Sequence, residues 1–211
     1  MLIVKRITPY WTTGCLVLLL WFGVNYPAWW LLYFGLLAAL PIVAMLIMHQ
    51  PHWKYEYLGL GSPMLMLVLG GYTFLLIQEE FVIMLGTIIC TAIFFFLFQK
   101  NVSVFLFEPA KYIPFSLEHI STYTTVLASF YVYVSLFIFS ILKLTRLRYI
   151  FIIALVLTAF MVWQTFWIQK IAWAKAKWFV LVLSIVLTEV VVALYFWPVS
   201  FFVTGVTLTL L

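Results

Sequence analysis

Glu189 is the one acidic residue inside a long apolar run, WFVLVLSIVLTEVVVALYFW (178–197). An ionised carboxylate at bilayer depth costs on the order of 3 kcal/mol or more, so intramembrane acids are candidates for proton handling or ion passage. No Lys, Arg or His lies inside an apolar run to neutralise it. The expected state is therefore protonated, with a hydrogen bond to Thr158 or Gln164 of the preceding run or to Thr204 of the last one. In that state Glu189 serves either as a proton carrier or as a polar contact between helices. Gln164 and its neighbour Thr165 are the residues expected to extend a polar path from it, unless they pair with nearby backbone.

A second set of groups has weaker spacing. His49 and His52 stand three apart and Glu56 follows four later, which on one helix face would offer metal or acid–base ligands. Pro51 interrupts such a helix, and the flanking Trp53, Tyr55 and Tyr57 suit an interfacial aromatic loop equally well. Glu118 and His119 are expected on the same side of the membrane and would complete the set, with Glu108 nearby. Glu79 and Glu80 are adjacent on a tight turn and point apart, as solvated turn acids do. The triplet Asn101-Val102-Ser103 matches the glycosylation sequon, but its expected inner location argues against use. Phosphate loops, G-x-S-x-G, H-E-x-x-H and cysteine clusters are all absent from the sequence, and no cofactor or metal is expected.

The elements that would hold these residues follow from composition. Of 211 residues 67% are hydrophobic and only 8% charged, too much apolar surface for a water-soluble globule. The runs are apolar on every side rather than alternating, which favours helices over barrel strands. A helix needs roughly 20 apolar residues to cross about 30 Å of hydrocarbon. The expected fold is an all-α polytopic membrane bundle in one domain. Its seven full spans are at about 11–24, 28–48, 58–77, 81–98, 124–142, 149–168 and 178–197, and a partial eighth is at 199–211. The first span is short and borrows residues before Trp11. The last reads either as a half-span or as the start of a helix continued in a longer protein. Residues 99–123 are expected to lie along the interface, interrupted by Pro109 and Pro114, with Ser116 capping the fifth span.

Pro41 is expected to kink the second span, where Gly35 and Ala39 form a small pair suited to close helix contact. The glycines of the third span, Gly70 and Gly71 among them, predict the most mobile helix of the first half. Cys15 and Cys90 read as buried small residues. The net charge of +5 comes from scattered flanking cations, which set topology and touch lipid phosphate; no nucleic acid is expected. With the N-terminus cytoplasmic, eight of the eleven cations fall on inner segments and three in the outer turn 143–148. That supports this orientation, in a bacterial inner membrane, although three cations in one outer turn conflict with it.

Three functions remain open on the sequence: a scaffold or subunit of a membrane assembly, packing against lipid, other helices or a second copy; a proton-coupled or small-solute transporter using Glu189 and Gln164; and an enzyme acting on lipid-linked substrates at the inner face.

Overall fold

The computed structural model describes residues 2–48, 61–141, 147–168, 171 and 173–195, and all of its regular structure there is helical. Seven α-helices follow in order: α1 (Leu2–Asn25), α2 (Trp30–Met48), α3 (Gly61–Leu75), α4 (Phe81–Phe107), α5 (Ser116–Ile141), α6 (Leu147–Ile168) and α7 (Trp173–Tyr195). Five stretches are long and apolar enough to cross a membrane: Arg6–Asn25, Pro27–Met48, Phe81–Phe107, Ser116–Phe139 and Tyr149–Trp167. Gly61–Leu75 is apolar but shorter. The sequence count of seven spans and a partial eighth is thus matched in helical class, with five spans meeting the length and hydropathy of a crossing among the described residues.

The helices run up and down. Arg6 at the start of α1 meets the α4–α5 connection at one end, called here the near end. Trp21 of α1 contacts Phe81 of α4 at the other. α3 occupies the centre, touching α1, α2, α4 and α5, while α6 joins through α5 and α7 through α6. The burial pattern is that of a protein solvated by hydrocarbon. Large apolar side chains face outward, Val82 at 79% exposure and Leu31 at 66%, while Thr91, Gln99, Thr124 and Gln164 are buried.

Several sequence expectations shift. α4 does not stop at residue 98 but continues to Phe107, so the start of the 99–123 stretch is helix continuous with the fourth span. Polarity at Gln99-Lys100-Asn101 does not end a helix; the Asn101 amide donates to the Leu97 carbonyl at 2.9 Å and the turn carries on. The chain breaks only at Glu108, whose geometry is restricted by Pro109, the first residue of a short 3₁₀ turn. Residues 108–115 are therefore the irregular part. They close on Phe115, which takes a φ of 65° before α5 begins at Ser116.

α3 is the most enclosed helix, with Met64, Leu67, Val68 and Tyr72 fully buried. Its glycines are contact points rather than hinges. A Cβ on Gly70 would lie 3.3 Å from the Ala128 carbonyl oxygen and 3.1 Å from Val132 of α5. One on Gly71 would lie 2.9 Å from Thr91 Oγ1 of α4. The pair on α2 behaves oppositely: Gly35 and Ala39 are exposed, and a Cβ on Gly35 would meet nothing within 4 Å. Cys15 and Cys90 are likewise exposed rather than buried.

Candidate functional site

Glu189 does not join Gln164. It lies on the outward face of α7, exposed, with Val182, Ile185 and Val186. At 3.6 residues per turn it stands about 180° from buried Val180 and about 140° from buried Ser184, the residues that face the bundle. Because α7 starts at Trp173, Glu189 sits about 24 Å along the helix, beyond its midpoint. The proposed partners of Glu189 are engaged elsewhere. Thr158 donates to the Ala154 carbonyl at 2.6 Å and pairs with Tyr133 of α5 at 2.9 Å. Gln164, 1% exposed, donates from Nε2 to Thr125 Oγ1 of α5 at 3.4 Å. Thr204 lies outside the described residues.

The interfacial set falls only in part on described residues. His49, His52 and Glu56 lie outside the described residues, as does residue 143–146 of the basic turn. Glu118, half-buried, accepts a hydrogen bond from Tyr112 at 3.2 Å, while His119 is exposed on the first turn of α5. Among the described residues no three His, Cys, Asp or Glu side chains come together as metal ligands.

What the helices do bring together is a hydroxyl-lined cavity of about 230 Å³ between α5, α6 and α7. Thr125, Ser129 and Tyr133 stand at i, i+4, i+8 on α5 and share one face; Thr158 and Thr165 come from α6. Leu183 and Leu187 of α7, with Met161 and Phe166, supply its apolar wall. No charged side chain lines it among the described residues. Sequence reading passed over the α5 residues because hydroxyls are unremarkable in a span, yet their four-residue ladder was the available signal.

At the near end, charge gathers around Glu108. Its two carboxylate oxygens pair with Arg6 and Lys111, each at 2.8 Å. The hydrogen bond from Lys111, followed by the Arg6 charge, holds the Glu108 carboxyl below its ordinary range. Lys100, whose ammonium lies 5.4 Å from the centre of the Tyr10 ring, contributes to the same field. The neighbouring Tyr112 hydroxyl is pushed up, first by burial and then by the nearby Glu118 carboxylate. It accepts the Leu117 N–H at 3.3 Å, so one phenol ties the connection to the first turn of α5. Exposed Ile113 and Phe115 sit beside these cations, a mixture suited to headgroup depth.

No family model matches the chain, and neither does any curated protein or solved structure.

Proposed function

We propose that the chain is a non-catalytic subunit or scaffold of a membrane assembly, and that the outer face of α7 around Glu189 is where another membrane helix docks. The observation that supports this most is the direction of Glu189: it is exposed on an apolar face, outside the lining of the cavity between α5, α6 and α7, and without a hydrogen-bond or ion-pair partner among the described residues. A carboxyl group facing hydrocarbon is costly, and a neighbouring helix carrying a donor removes that cost. Transport through Glu189 would need this side chain in a midplane cavity with Gln164, and the two face different ways.

The membrane is taken to be a bacterial inner membrane with the N-terminus cytoplasmic. The meeting of Arg6 and Lys111 at Glu108 supports a shared side for two of the basic segments assigned inward. Reporter fusions at the 26–29 and 108–115 connections read that orientation.

Native electrophoresis and cysteine cross-linking in membranes test the assembly. With Val182→Cys and Val186→Cys as reporters, the wild-type face forms cross-links, and Glu189→Leu dissociates the complex while the isolated chain stays folded. An unchanged complex and unchanged cross-links in Glu189→Leu would overturn the proposal.

A further inference from the structure

The cavity between α5, α6 and α7 has a hydrogen-bond polarity that its residue types alone do not reveal. A Ser or Thr hydroxyl carries one proton, and inside a helix in apolar surroundings that proton goes to a carbonyl three or four residues back. This holds around the wall: Thr125 donates to Ser121 at 2.9 Å, Ser129 to Val126 at 2.8 Å, Thr158 to Ala154 at 2.6 Å and Thr165 to Met161 at 3.0 Å. Since the Thr158 proton is engaged, the Tyr133 phenol is the donor in its 2.9 Å contact with Thr158. Thr125 also accepts from Gln164. Ser129, Tyr133 and Thr165, which line the cavity, therefore have their hydroxyl protons engaged and keep only acceptor capacity.

We infer that this cavity binds a neutral amphiphile bearing a hydroxyl or N–H donor on an apolar body, of the size of a substituted phenol ring. An anion finds no donor there, and a cation finds no carboxylate to offset its desolvation. A cavity of 150 Å³ already takes benzene, so about 230 Å³ admits a ring with a short substituent. Val126 and Leu183 on its rim are exposed on the apolar flank of the bundle, so the ligand enters from the lipid.

The test compares 4-butylphenol with its methyl ether, which has the same ring and chain but no donor, by saturation-transfer NMR on the purified chain in phosphatidylcholine nanodiscs. The phenol binds saturably and about tenfold tighter than the ether, the equivalent of one neutral hydrogen bond. The paired substitution Ser129→Ala with Thr165→Val removes two acceptors at nearly constant shape and lowers phenol affinity toward that of the ether. Equal binding of the two probes, saturable binding of neither, as for a cavity that holds water only, or a folded double variant with unchanged phenol affinity would each overturn the inference. The probe comparison uses the unaltered chain, so it decides even where the double variant does not fold.

Discussion

The two parts of the bundle use similar side chains to different ends. Around α3, helices α1 to α5 enclose a buried glutamine, Gln99, whose amide oxygen accepts from Thr12 of α1. Across α5 to α7 a second buried glutamine, Gln164, bridges α6 and α5. Each keeps one amide atom, Gln99 Nε2 or Gln164 Oε1, without a partner among the described residues. Yet the first group packs shut at its glycine contacts, whereas the second leaves a cavity. Glycine is the difference: α3 brings Gly70 and Gly71 to its contacts with α5 and α4, and no glycine occurs in α5, α6 or α7. Without a hydrophobic force between helices in lipid, close approach depends on such small residues. Met161, Phe166 and Leu187 line the space left in the second group.

The strongest challenge to this contrast is a larger side chain at the tight contact. Gly70→Val drives methyl groups into the Ala128 carbonyl and Val132, and is expected to cost about 3 kcal/mol, the upper range of overpacking. Ser129→Val, which grows into the cavity, should cost under about 1 kcal/mol, and detergent-unfolding curves of the two variants compare them directly. Equal losses would mean that the two regions are packed alike. The glutamines come next: Gln99→Ala opens a void between α1 and α4 and loses the Thr12 bond, for about 2 kcal/mol. Gln164→Ala should cost about 1 kcal/mol, because its 3.4 Å bond is long.

Glu189→Leu addresses the outer face. Removing an exposed carboxyl that makes no hydrogen bond or ion pair among the described residues should alter the unfolding of the isolated protein by less than about 0.5 kcal/mol, so a large loss there would instead argue for an intramolecular partner. The smallest effect belongs to the exposed near-end pairs, since Arg6 and Lys111 are largely in solvent. With the folded Glu108 carboxyl held below its ordinary 4.5, its contribution is present above that pH and is lost as pH falls through the folded value. Hydrogen exchange at the start of α1 should rise slightly over that acidic window, and Glu108→Gln should show the faster exchange already at neutral pH.

Much of the fold is legible from residue order. The turn at Asn25-Tyr26-Pro27 and the break at Pro109 follow from proline geometry, whereas Ser116, expected as the cap of the fifth span, is the first helical residue of α5 and Phe115 holds the cap position, its carbonyl accepting from the His119 N–H. The end of α4 was not legible, because polar residues at 99–101 resemble a loop until one sees Gln99 buried against α1. The candidate site was less legible still. Thr158 and Gln164 were recognisable as polar groups within a span, but the α5 ladder that they face was not.

Composition and run length by themselves determine the solvent and the element: a chain this apolar must satisfy its backbone within helices, and several of those helices are long enough to cross hydrocarbon. Which way each helix faces was decided only in three dimensions. A run that is apolar on all sides carries no stripe to orient it, so Glu189 could have pointed inward or outward with the same sequence around it. Packing settles that choice: α7 presents Val180 and Ser184 to the bundle, and the carboxyl is carried to the opposite side.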